Sequence, residues 1–283
     1  MRKITLFLML VFVGVLSTQA QSEVKQFTIK SEILGVEKIY SVYLPDGYKK
    51  TGEKYPVLYL LHGAWGTHNS WVRETGGNVQ AIADAAIAKG EAKKMIVVMP
   101  DARGEGERNG GKNMGYFNVE NWSYMDFFFQ EFIPHIDKKF NTIASKEGRA
   151  IAGLSMGGGG SFVYAQRRPE MFNAAYSTSG LLDHRYRPNS VRKYENIGWY
   201  WSVAITSPVE YLRNASLEEL EQLRSVRWML DCGDDDGIIS TNLDFFIEMK
   251  REKVPVEFRV RDGKHNWAFW RESLPLILAF SFR

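Results

Sequence analysis

Six short runs dominated by apolar residues, Val57–Leu61, Met95–Met99, Ala150–Leu154, Ala174–Ser177, Val226–Asp231 and Val256–Val260, are separated by stretches long enough to hold a helix. Read as continuous apolar runs, they fit strands buried on both faces, because a strand with one wet face alternates instead. Parallel neighbours need a long crossover, and the intervals here supply it. Two earlier segments, Phe27–Glu32 and Lys38–Leu44, do alternate and meet at Gly35, so an antiparallel edge is expected there. Helices are expected over Val79–Lys89, Tyr124–Lys139, Gly158–Arg168, Asn242–Lys250 and Leu274–Phe280, with Pro134 kinking or ending the second. Arg103–Val119, rich in Gly, Asn and charge, and His184–Ser216, aromatic but aperiodic, read as long loops, which in compact domains are functional or mobile. The expected class is α/β: a mostly parallel eight-stranded sheet with helices on both faces and a small lid-like insertion.

At 283 residues, 45% apolar and 24% charged, the chain can bury a full core, and one large domain is the simplest division. Residues 1–20 run from Arg2 and Lys3 through an apolar stretch, Ile4–Leu16, to the small residues ending at Ala20. That order is expected of an export signal cleaved near Ala20, and the apolar stretch is short of the roughly 20 residues that span a bilayer. Residues 21–283 are then the folded domain, exported and not held in a membrane. The net charge of +3 falls to +1 without Arg2 and Lys3, which gives nucleic acid no reason to bind. Cys232 is the only cysteine, so no internal disulfide can form. Its apolar neighbours mark a buried strand thiol.

Gly153-Leu154-Ser155-Met156-Gly157 stands where one apolar run ends and a helix should begin. A strand-to-helix turn this sharp strains its central residue and leaves no room for side chains two positions away. Gly153 and Gly157 meet that demand, and Ser155 is left at a helix N-terminus, where negative charge is favoured. A serine hydroxyl needs a base, and the base a carboxylate to orient it. Of five histidines, His265 follows the last strand and so lies at the sheet edge where Ser155 emerges; His62 is given a structural role, and His68, His135 and His184 are expected at the surface or in a lid. The acid is expected beyond Val226–Asp231, where Asp234, Asp235 and Asp236 are all candidates; Asp231, inside the strand, is not. Asp236 is favoured because the chain must leave the sheet before it can fold back. The triplet lacks the alternating ligand pattern of a calcium loop, and no metal or organic cofactor is expected. Two backbone N–H groups should face the developing oxyanion: Met156, beside the serine, and Ala64, after Leu61-His62-Gly63.

Together, Tyr59-Leu60-Leu61-His62-Gly63, Gly153 to Gly158, Cys232-Gly233-Asp234-Asp235-Asp236 and His265-Asn266-Trp267-Ala268-Phe269-Trp270 resemble the esterase D family, over nearly the whole mature chain. The resemblance implies the α/β-hydrolase fold and a serine esterase. It implies Asp236 as the acid, by analogy with Cys-Gly-Thr-x-Asp, although Asp234 stands in place of the threonine. The family's Gly-Gly-His-Asp-Trp is Gly263-Lys264-His265-Asn266-Trp267 here. For an exported member it implies removal of feruloyl or acetyl groups from plant polysaccharide such as xylan. Small-molecule or oligosaccharide esters are the expected partners, with Trp65, Trp199, Trp201 and Trp267 as candidate substrate contacts. The alternatives are acyl transfer to a sugar, a short-chain or S-formylglutathione-type esterase, and a non-catalytic carbohydrate-binding protein.

Overall fold

A computed structural model describes residues 21–50, 52–183 and 206–283. The export signal expected over 1–20 lies outside them, as do Trp199, Trp201 and His184.

Eight strands form one sheet: β1 (Glu23–Ser31), β2 (Val36–Leu44), β3 (Val57–Leu61), β4 (Ile96–Pro100), β5 (Arg149–Leu154), β6 (Ala174–Thr178), β7 (Arg227–Gly233) and β8 (Val256–Arg261), in spatial order 1-2-4-3-5-6-7-8. β1 pairs antiparallel with β2 along its whole length, from Glu23 opposite Leu44 to Ser31 opposite Val36, and β2 pairs antiparallel with β4. Every other pairing is parallel. β3 to β6 are buried at every residue, as runs of Val, Leu, Ile and Ala covered on both faces should be. β8 corrects the expectation for Val256–Val260. It is the sheet's other edge: Glu257 and Arg259 are exposed on one face, Val256 and Phe258 are half-buried on the other, and Val260, on that second face, is 48% exposed.

Besides one four-residue helical turn, Gly106–Asn109, inside the segment read as the loop Arg103–Val119, the helices of the described residues are α1 (Val79–Ala88), α2 (Tyr124–Phe127), α3 (Ile133–Lys139), α4 (Met156–Arg167), α5 (Pro208–Asn214), α6 (Leu217–Arg224), α7 (Ile239–Arg251) and α8 (Trp267–Ser281). Two apolar layers flank the sheet. One joins Tyr59, Ile151 and Leu230 to Phe128, Phe162 and Phe245; the other joins Leu58, Ala152 and Met229 to Ala83, Leu274 and Ile277. Pro134 does not end its helix, because a π-helical turn, Phe128–Phe132, links α2 to α3 and places the proline in the first turn of α3, where its missing N–H is not needed.

Two expectations change and one helix was not anticipated. α8 begins at Trp267 and not at Leu274: the Asn266 side chain caps it by accepting from the N–H groups of Ala268 and Phe269. α5 lies inside the segment read as a loop to Ser216, capped by Ser207 and opened by Pro208. α6 follows it, begun by a reciprocal Ser216–Glu219 capping box, a signature that stands plainly in the sequence.

Candidate active site

β5 ends at Leu154 and α4 begins at Met156, so Ser155 alone makes the turn, at φ 53° and ψ −118°. A non-glycine residue holds such a conformation only where its surroundings dictate it, at a cost of about 1–3 kcal/mol. Here the Ser155 N–H donates to the Thr178 carbonyl at 3.0 Å, and the Ser155 carbonyl accepts from Gly159 and Leu181 at 3.1 and 3.0 Å. The flanking glycines are sterically required. A Cβ on Gly153 would stand 2.4 Å from the Gly157 carbonyl oxygen, and one on Gly157 would stand 2.5 Å from that of His62.

The Ser155 Oγ lies 3.0 Å from His265 Nε2, and His265 Nδ1 lies 3.0 and 2.9 Å from the two oxygens of Asp236. An ionised carboxylate only accepts, so Nδ1 carries the proton and Nε2 is left to accept from the serine hydroxyl. Burial pushes the Asp236 carboxyl up, but the hydrogen bonds from His265 and from the Ile238 N–H, at 3.0 Å, outweigh it and hold the group below the usual carboxylate range. Asp236 is therefore a buried anion facing an imidazole whose side chain is 36% exposed.

The other acids are occupied. Asp231, inside β7, takes a bidentate pair from Arg261 at 3.0 and 2.9 Å and a hydrogen bond from the Tyr176 hydroxyl. Asp234 Oδ1 accepts the Gly263 N–H at 3.0 Å, tying the acid-bearing loop to the base-bearing loop. Asp235 is exposed, 3.9 Å from Lys264 Nζ. Of the three carboxylates left open by spacing, Asp236 is the one that meets His265.

Gly63 lies against the elbow, its would-be Cβ 2.5 Å from Leu154 Cδ1 and 3.4 Å from Ser155 Cβ. Ala64 follows directly and is half-buried. Met156 opens α4, so its N–H has no partner within the helix. His62 is fully buried and clasps the Ala64 loop: its Nε2 accepts the Ala102 N–H at 3.0 Å, which leaves Nδ1–H to donate to the Gly63 carbonyl at 2.7 Å. Burial lowers this imidazole to about 4, against a smaller upward pull from Asp101, and so it is neutral near pH 7.

Trp65, next after Ala64, is 66% exposed. Trp267 is half-buried, its ring edge-on to both Trp71 and Trp270 at 5.3 Å. Trp270 in turn stands edge-on to His265 at 4.9 Å, a support that no spacing rule signalled. His68 corrects its expected surface position: it is buried, its Nδ1 2.8 Å from the Ser41 hydroxyl. His135 is half-buried against the Tyr40 hydroxyl. Cys232 is buried in β7, and burial pushes its thiol up to about 12. Among the described residues, no three His, Cys, Asp or Glu side chains gather as metal ligands, and no helix is long and apolar enough to cross a membrane.

A family model described as "Putative esterase" matches residues 31–281. An endo-1,4-beta-xylanase/feruloyl esterase of Xylanibacter ruminicola is 42% identical over 154 residues, 53% of this chain; the matched stretch spans 20% of that relative. Among solved structures, a ferulic acid esterase aligns at 41% identity with a TM-score of 0.85, covering 94% of this chain and 99% of that one. A ferulic acid esterase of Anaeromyces mucronatus, solved with ferulic acid, has 20% identity and a TM-score of 0.70 over 94% of this chain and 93% of its own, a likeness of fold.

Proposed function

Because the chain belongs to the esterase family whose model it matches over residues 31–281, we propose that it is a serine carboxylic-ester hydrolase with Ser155 as nucleophile, His265 as base and Asp236 as the orienting acid. The observation that carries this reading is the unbroken hydrogen-bonded series from the Ser155 hydroxyl through both nitrogens of His265 to the buried Asp236.

In the first step His265 Nε2 takes the hydroxyl proton as Ser155 Oγ adds to the ester carbonyl. The oxyanion is met by the N–H groups of Ala64 and Met156. Collapse of the tetrahedral intermediate breaks the bond to the alcohol, which leaves with the proton from His265, and the acyl group stays on Ser155. A water molecule, deprotonated by the same nitrogen, then releases the acid. Asp236 keeps His265 in the tautomer these steps need and stabilises the imidazolium that forms twice in each turnover. No cofactor enters this sequence of steps.

The substrate reading is an ester decorating plant polysaccharide, feruloyl or acetyl on xylan. It is supported by the names of the relatives at 41% and 42% identity and by two tryptophans that are not buried, Trp65 two residues after Gly63 and Trp267 two residues after His265; Trp199 and Trp201 complete the proposed contacts. Residues 1–20 are proposed as an export signal and 21–283 as the catalytic domain. Hydrolysis of p-nitrophenyl acetate by wild type, Ser155→Ala and His265→Ala tests the chemistry: each variant is expected to lose at least about a thousand-fold in kcat with its fold intact. Wild-type turnover in either variant removes that residue from its role. A screen of feruloylated and acetylated xylan fragments against simple short-chain esters tests the substrate.

A further inference from the structure

Trp65 combines three features that seldom occur together. Its backbone sits in the left-handed region at φ 61°, where a bulky residue is a genuine outlier. Its ring is 66% exposed, so packing against the protein returns little for that strain. It also occupies the tight turn closed by the Gly66 N–H donating to the Gly63 carbonyl at 3.0 Å, one residue beyond the proposed oxyanion donor Ala64.

The turn is held from outside by Asn113, a buried residue of the Gly- and Asn-rich segment Arg103–Val119. Asn113 Oδ1 accepts the Trp65 N–H at 3.3 Å. That bond fixes the orientation of the amide, and its Nδ2 is then buried with no hydrogen-bond partner among the described residues. An unpaired buried donor is costly, and so is a left-handed tryptophan. Asn113 is in turn fixed by an antiparallel bridge to Arg103, whose backbone and guanidinium both bond Asp101. Two unfavourable features are thus maintained to hold one indole in water two residues beyond Gly63, whose backbone packs against Ser155.

We infer that Trp65 is the specificity-determining ring of the proposed active site, a platform for esters in which a ring with a flat apolar face adjoins the scissile bond, and that Asn113 is the positioning residue that latches it. The assignment rests on the esterase reading and deepens it. An indole face gains most from a ring lying flat on it, and a substrate without a ring forgoes that gain. The strain is retained because an unstrained loop would let the indole swing away from the bound ester.

The test compares kcat/KM on three esters: methyl ferulate, with its ring in the acyl half; an acetylated xylo-oligosaccharide, with its ring in the alcohol half; and ethyl butyrate, with none. For Trp65→Ala the ratio of ring-bearing to ring-less kcat/KM is expected to fall about five- to ten-fold, carried by KM, and to recover largely in Trp65→Phe. The arm that falls tells which half of the ester the platform holds. Asn113→Ala should lower the same ratio, and Asn113→Asp, which keeps the acceptor, should restore it. Trp65→Gly should lower the ratio while raising Tm by about 2–4 °C, since glycine relieves the left-handed strain. An unchanged ratio in Trp65→Ala with ester turnover intact overturns the platform alone. A lowered Tm in Trp65→Gly overturns the strain argument. Absence of ester turnover in the wild type overturns both the platform and the esterase reading.

Discussion

Acidification should loosen the fold through His62, by an amount that the structure sets. The imidazole is fully buried, and burial lowers it from an ordinary 6.5 to about 4; Asp101 and the bond to the Gly63 carbonyl pull it back up, and Arg103 and Lys38 push it further down. Its folded value lies below its unfolded one, so in falling pH the unfolded chain takes up the proton first. Stability contributed by the neutral ring is complete above about pH 6.5 and is lost progressively down to about pH 4. A difference of roughly 2.5 units at about 1.4 kcal/mol each amounts to about 3 kcal/mol. Guanidinium titrations at pH 7, 5.5 and 4.5 on wild type and His62→Gln measure it. The glutamine cannot protonate, so although the variant should be about 1–2 kcal/mol less stable at pH 7 for its lost hydrogen bond, its stability should fall less steeply than that of wild type between pH 7 and 4.5. Parallel curves for the two proteins would refute the reasoning.

Asp236→Asn should leave the fold in place and reduce kcat by about 10³–10⁴, because the amide can donate to Nδ1 and hold the wrong tautomer of His265; p-nitrophenyl acetate kinetics check it. Gly157→Ala should be among the most damaging small substitutions, since its methyl group would meet the carbonyl oxygens of His62 and Leu61 at 2.5 and 2.6 Å; soluble yield and Tm should both drop sharply. Arg261→Met strands the fully buried Asp231 carboxylate without its bidentate partner, which should cost about 3–5 kcal/mol and lower Tm by roughly 10 °C in a thermal melt.

The sheet was legible because burial on both faces demands runs that no other element of this length requires, and Val57–Leu61 is bounded correctly to the residue. Val256–Val260 misled because two of its five residues are charged, a pattern that fits an edge better than an interior. The elbow was legible because its steric demands fall on neighbours in sequence, Gly153 and Gly157. The choice among Asp234, Asp235 and Asp236 was not settled by spacing, because it depends on which carboxylate the Gly263 N–H claims, a contact 29 residues away. Nor could the sequence couple Asn113 to Trp65 across 48 residues, or put His68 beneath Ser41, since neither contact follows any periodicity.

His265 is carried just beyond an edge strand that hydrogen-bonds to a single neighbour, β7, and it stands 110 residues downstream of the hydroxyl it serves. Margins of sheets open at lower free energy than their centres. A mild denaturant that frays this margin would silence turnover while the interior strands, with the strained serine among them, stay folded. Reactivity is then the first property lost on warming and the last regained on cooling, and an enzymatic melting curve should precede the spectroscopic one.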